Sequence, residues 1–174
     1  MSGQISEGYQ ALQRQMHADP EYGKAATMYA PLVKQVIDQF RIATVFDYGA
    51  GKRRLKEALD SLGAEIEYRA YDPAFPEYGE PQPAELVCCI DVLEHVEPDR
   101  LDAVLDELRR ITIKRGFFTV HTGPAKKFLP DGRNAHLIQE PASWWLPRLC
   151  ARFEIDHLSK QGAGFLVVTS PLAA

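Results

Sequence analysis

The chain has 174 residues, 45% hydrophobic and 25% charged, with a formal net charge of −4. That length suits one domain with a full core, and no apolar run approaches the roughly 18 residues of a membrane span. The acidic balance and the lack of a long basic run argue against a strong electrostatic grip on nucleic acid, although a local basic cluster can still meet a nucleotide.

Residues 1–41 read as a helical segment. Tyr9, Leu12 and Met16 suggest a short helix that ends near Asp19-Pro20. Leu32, Val33, Val36, Ile37 and Phe40 then recur at helical spacing, with Pro31 suited to a first turn. From residue 42 the pattern alternates: strand 43–47, helix 53–62, strand 65–71, strand 85–91, helix 98–111 and strand 116–121. Such alternation implies a parallel sheet covered on both faces. Between strands 65–71 and 85–91 lie Pro73, Pro76, Pro81 and Pro83, so no crossover helix can form there. A segment of that length can still stretch up to about 40 Å and recross a sheet. One strand-helix unit of a fuller fold is therefore expected to be missing. Strands 153–158 and 165–169, joined by Lys160-Gln161-Gly162-Ala163-Gly164, predict an antiparallel hairpin at one sheet edge.

Two sequence elements point to a ligand. Ala43-Thr44-Val45-Phe46-Asp47-Tyr48-Gly49-Ala50-Gly51 reads as a buried strand entering a glycine turn, and Asp72 follows Gly51 by 21 residues. Glycines there let the backbone turn sharply and approach a ligand. An acid about 20 residues on is where ribose hydroxyls are received. A dinucleotide fingerprint needs a third glycine, but Lys52, Arg53 and Arg54 follow Gly51. Asp47 beside the turn suits an ammonium group and repels a pyrophosphate, so a phosphate-free ligand with an amino-acid end, S-adenosylmethionine, fits better.

These residues resemble the class I S-adenosylmethionine-dependent methyltransferases. Val45-Phe46-Asp47-Tyr48-Gly49-Ala50-Gly51 is similar to the family's first motif and Tyr71-Asp72-Pro73 to its ribose-binding acid. Glu85-Leu86-Val87-Cys88-Cys89-Ile90-Asp91-Val92-Leu93-Glu94-His95-Val96 is similar to its fourth strand and exit turn. The resemblance covers about residues 43–170 and implies one α/β domain over 1–174. That domain is a Rossmann-like, mostly parallel sheet with the C-terminal antiparallel hairpin, one strand-helix unit short, plus N-terminal helices. It implies S-adenosylmethionine as cofactor, held by Asp47, Gly49, Gly51, Asp72, Ile90 and Asp91. Tyr22 joins them from an N-terminal segment that often folds over the cofactor in this family, with Tyr29 beside it. The sequence departs from the pattern twice. Arg53 stands at the third motif glycine, and the strand that usually carries an adenine-binding acid is lacking.

Methyl transfer from a sulfonium is a direct displacement, so holding donor and acceptor in line supplies most of the catalysis. A base is needed only where the acceptor loses a proton. His95 is the leading candidate, with Asp91 and Glu94 as alternatives, Glu94 also being suited to orienting the next helix. His121 and His136 follow on the same expected side. In the loop 121–136, Lys126, Lys127, Arg133 and His136 are candidates to receive a phosphate or carboxylate of the acceptor, or else form a solvated surface. Of Trp144 and Trp145, at least one is expected in the core. The strand tip Ile90-Asp91-Val92-Leu93 lacks the N-P-P-Y or D-P-P-Y of amino methyltransferases of adenine and cytosine, and Pro-Cys is absent from it.

Met1-Ser2-Gly3-Gln4 lacks a secretion signal's charged and apolar regions. Cys88, Cys89 and Cys150 lack paired spacing, so neither disulfides nor a metal site is expected, and the location is expected to be cytoplasmic. The function expected is methylation of oxygen or nitrogen on a small-molecule or nucleotide-like acceptor. Two alternatives stay open: a non-catalytic cofactor-binding partner subunit, and a nicotinamide-dependent dehydrogenase.

Overall fold

Strand β1 (Thr44–Tyr48) is buried at every residue but its first, as its apolar sequence and central position require. It pairs in parallel with β2 (Glu67–Tyr71) on one side and with β3 (Ala84–Ile90) on the other. Strand β4 (Thr112–His121) continues the parallel run beside β3. A hairpin of β5 (Phe153–Gln161) and β6 (Gly164–Pro171) closes the far edge antiparallel to it, giving the six-stranded order β2-β1-β3-β4-β6-β5. The computed structural model describes residues 5–18 and 25–172, and among these no helix is long and apolar enough to cross a membrane.

Successive strand residues point to opposite faces, and the two cores divide accordingly. Val45, Leu86, Cys88 and Phe117 pack against α2 (Ala25–Phe40) and α3 (Arg54–Ser61). Phe46, Val87, Cys89 and Phe118 pack against α4 (Leu101–Ile111) and α5 (Ala142–Cys150). The adjacent cysteines thus serve opposite cores as buried free thiols. Leu101, Val104, Leu105, Leu108 and Ile111 are each at most 2% exposed. Burying each of them is worth about 1.5–3 kcal/mol relative to leaving it in water.

Between β2 and β3 there is only a 3-10 turn, Pro76–Tyr78. Strand β2 is consequently a sheet edge, and the expected missing strand-helix unit is the reason. Three elements differ from expectation. Helix α2 already starts at Ala25, so Pro31 lies inside it rather than in its first turn. Strand β4 starts at Thr112, directly after α4 ends, because Thr112 turns extended while its hydroxyl donates to Leu108 O at 2.6 Å. Helix α5 lies where the sequence shows no clear helical period, because Pro141 and Pro147 obscure it. Trp145 inside it is fully buried, with its indole N–H donating to Glu140 O at 3.1 Å. Trp144 is only partly buried, under the Arg148 guanidinium 3.5 Å from its ring centre.

Candidate active site

The glycine turn leaves β1 with left-handed backbone at Gly49 (φ 81°) and Gly51 (φ 49°). Gly49 N–H and Ala50 N–H both donate to Tyr71 O, at 2.8 and 3.0 Å, fastening the turn to the tip of β2. A Cβ at Gly49 would lie 2.4 Å from Val92 Cγ2, so only glycine fits. Arg53, at the third motif position, also takes the left-handed region (φ 57°). That conformation costs a non-glycine residue about 1–2 kcal/mol. The Arg53 guanidinium lies 4.0 Å over the Tyr78 ring, and Tyr78 Oη donates to Gly51 O at 2.9 Å. The proline-rich segment therefore folds back to brace the turn.

Asp72 is buried at the tip of β2. Its Oδ2 accepts from Gly51 N–H and its Oδ1 from Ala74 N–H, both at 2.8 Å. Each carboxylate oxygen retains a second lone pair for a further donor. Asp47 is buried too and accepts from Tyr68 Oη. Burial, chiefly, pushes its carboxyl up to about 7, with the Tyr68 bond opposing. At the tip of β3, Asp91 holds a left-handed backbone (φ 50°). Thr119 fixes it there, its Oγ1 accepting from Asp91 N–H at 2.9 Å and donating to Asp91 Oδ1 at 2.5 Å.

Past Asp91, Val92 and the 3-10 turn Leu93–His95 aim three side chains differently. Val92 packs on Gly49, His95 faces the strand tips, and Glu94 turns inward with no exposure. Glu94 Oε1 accepts from His121 N–H at 2.9 Å, while Oε2 is buried without a hydrogen-bond partner. His95 Nδ1 bonds Ala135 O at 2.8 Å and His136 Nδ1 bonds Gly123 O at 2.7 Å. Burial first, and neighbouring His136 second, pull His95 down to about 3, so it is neutral at physiological pH. The His136 ring centre lies 4.8 Å from that of His95 and 4.9 Å from that of His121. Ligand atoms of Glu94, His95 and His136 all lie within 4.8 Å of one another.

One cavity of about 450 Å³ joins these parts. Asp47, Gly49, Gly51, Asp72, Ile90 and Asp91 line it together with His95, Lys126, Lys127 and His136. The loop 122–141 is ordered by its own bonds. Asn134 bridges Ala125 N and O at 2.9 Å each, and Leu129 N–H donates to Arg133 O at 2.7 Å.

Helix α1 (Glu7–His17) lies across the strand tips. Ser6 N–H and Oγ each donate to Glu97 at 2.7 Å, and Tyr9 Oη donates to His95 O at 2.6 Å. Gln10 reaches Pro73 O, and His17 meets the space above Gly51. Tyr9, Gln13 and His17 all face the cavity. Nothing in the motif reading singled these out; only the helical spacing of Tyr9, Leu12 and Met16 hinted at an element there.

Three expectations need correction or fall outside the description. Arg133 is not a cavity residue: its Nη2 lies 2.7 Å from Asp131 Oδ2, at the surface. Glu94 does not face the cavity as a base, because its inward rotamer pins the β4 exit instead. Tyr29 packs α2 on the sheet, 6.3 Å from the Phe117 ring, with Asp91 and Glu94 in electrostatic reach of its hydroxyl. Tyr22 lies outside the described residues.

No protein-family model and no curated protein sequence matches the chain. Solved structures do match its fold. A 1,6-didemethyltoxoflavin-N1-methyltransferase of Burkholderia thailandensis, with S-adenosylhomocysteine bound, superposes with a TM-score of 0.65 at 16% identity, covering 96% of this chain and 90% of that one. The N-methyltransferase NodS of Bradyrhizobium japonicum gives 0.58 at 10% identity, over 97% and 100% of the two chains. The magnesium protoporphyrin IX methyltransferase of Synechocystis gives 0.57 at 14% identity, over 95% of each. The chain has the fold of the class I S-adenosylmethionine-dependent methyltransferases.

Proposed function

We propose that the chain is an S-adenosylmethionine-dependent methyltransferase of a small-molecule or nucleotide-like acceptor, methylated on oxygen or nitrogen. The observation that carries this is the single cavity uniting the glycine turn, Asp72 and Asp91 with His95, Lys126, Lys127 and His136. The solved neighbours with the same fold include methyltransferases with S-adenosylhomocysteine bound, which supports the same cofactor here.

The residues present fit that cofactor. Gly49 and Gly51 clear the backbone for close approach. Asp47, a buried carboxyl whose recorded bond is to a neutral hydroxyl, suits the ammonium of the amino-acid end. Asp72, with lone pairs remaining, suits the ribose, and Ile90 offers the adenine an apolar wall. Asp47 also disfavours a nicotinamide dinucleotide, since a pyrophosphate at the turn would meet a second negative charge.

Bound S-adenosylmethionine supplies an electrophilic methyl on a sulfonium. The chain's part is to orient the acceptor and to exclude water, which α1 does by crossing the strand tips. His95 lines the cavity with Nδ1 held by Ala135 O, which leaves its ring placed to hydrogen-bond the acceptor and, where the acceptor must lose a proton, to receive it. Lys126 and Lys127 suit an anionic group on the acceptor.

Incubation with methyl-labelled S-adenosylmethionine and fractionated metabolite and nucleotide pools tests the reading. Label should appear in a small acceptor. If none of the pools is labelled by a folded protein that binds the cofactor, a non-catalytic partner subunit becomes the better account.

A further inference from the structure

We propose that Glu94, His95 and His136 form a binding site for one divalent transition-metal ion, bordering the cavity. The role given to the ion rests on the methyltransferase reading; the site itself does not.

Three independent features converge. The ligand-capable atoms of these residues already lie within 4.8 Å of one another. Metal–nitrogen and metal–oxygen bonds of about 2.1 Å place neighbouring ligands roughly 3.0–3.4 Å apart, so small rotamer shifts close the set. Second, Glu94 Oε2 is fully buried and has no hydrogen-bond partner, while Oε1 is committed to His121 N–H. A lone buried carboxylate oxygen is costly unless a proton or a cation completes it. Third, His95 and His136 each place Nδ1 on a backbone carbonyl, Ala135 O and Gly123 O. A carbonyl only accepts, so Nδ1 carries the hydrogen and Nε2 is the basic nitrogen in both rings. That is the outer-shell arrangement that fixes tautomer and aim in metal-bound histidines.

Two imidazoles and one carboxylate suit the Mn²⁺-to-Zn²⁺ series better than Mg²⁺ or Ca²⁺, which favour all-oxygen sets. Glu94 lies beneath and the two histidines line the cavity, so the open coordination positions face the acceptor. An acceptor hydroxyl bound there loses its proton to solvent more readily. Its oxygen then takes the methyl carbon as the carbon–sulfur bond breaks, the electron pair staying on sulfur to give S-adenosylhomocysteine. The sequence pattern hid the site because its carboxylate is buried and its third ligand lies 41 residues beyond His95.

The test is calorimetric titration of chelator-stripped full-length protein with MnCl₂ and ZnCl₂, with S-adenosylhomocysteine titrated in parallel. The expected result is one ion per chain and a raised melting temperature. Glu94→Gln and His136→Ala should each weaken the ion about tenfold or more and lose the ion-dependent rise in melting temperature. Absence of metal binding, or equal binding in folded variants, overturns the site. If Glu94→Gln fails to fold, His136→Ala decides alone. Metal binding without S-adenosylhomocysteine binding would refute the methyltransferase reading and leave the ion site standing; the reverse pattern would refute only the ion site.

Discussion

The Tyr9 hydroxyl donates to His95 O at 2.6 Å and itself receives Gln13 Nε2 at 2.6 Å. The first helix is thus hung on the same turn that presents an imidazole to the cavity, and Ser6 on Glu97 secures its start. Cover and cavity wall are therefore one mechanical unit.

Tyr9→Phe tests that unit. It removes both of these neutral hydrogen bonds, each worth about 0.5–1.5 kcal/mol, without changing the ring's packing. S-adenosylhomocysteine affinity is expected to fall about 3- to 10-fold, measured by calorimetry. Unchanged affinity would mean the helix covers the cavity without contributing to cofactor binding.

Gly49→Ala is expected to destabilise by at least about 2 kcal/mol, because left-handed strain adds to overpacking against Val92. Urea unfolding measures it. Adding Val92→Ala removes the clashing methyls, so the double variant should regain part of the loss. An additive double variant would contradict this geometry.

Asp47 gives the pH dependence. Its folded pKa is raised to about 7, and Tyr68, Asp72, Cys88 and Cys89 are the titratable groups that interact with it. A raised acid contributes stability that is full below its unfolded value, roughly pH 4, and is lost as pH rises through 7. Asp47→Asn should flatten that slope. Binding an ammonium needs the carboxylate, so cofactor affinity should fall about tenfold per pH unit below 7. A flat affinity between pH 5.5 and 8 would remove Asp47 from the site.

Replacing Lys126 and Lys127 with glutamine should raise KM for an anionic acceptor and leave cofactor affinity intact, by steady-state kinetics and calorimetry. A changed cofactor affinity would place both lysines against the cofactor instead.

Much of this was legible in the chain. Strands β1 and β3 announce themselves as apolar runs, and glycines with an acid 21 residues on mark the turn and β2 tip. Four prolines in the 73–84 segment report the missing crossover helix. What was not legible depends on tertiary contact. Arg53 accepts a glycine's conformation only with Tyr78 beneath it. Arg133 prefers Asp131 two residues away to the cavity. Glu94 and His95 are sequence neighbours, yet one turns into the core and the other toward the cavity. Helix α5 is held by Trp145 burial, which overrides the two prolines that hide it.

The most direct measurement is calorimetric titration of the wild type and Asp72→Ala with S-adenosylhomocysteine and with NAD. The wild type should bind S-adenosylhomocysteine one to one and not NAD. Asp72→Ala should lose about 1.5–3 kcal/mol of that binding, the worth of a hydrogen bond to a charged acceptor. Binding of NAD in place of S-adenosylhomocysteine, or equal S-adenosylhomocysteine affinity in a folded Asp72→Ala protein, would contradict the account.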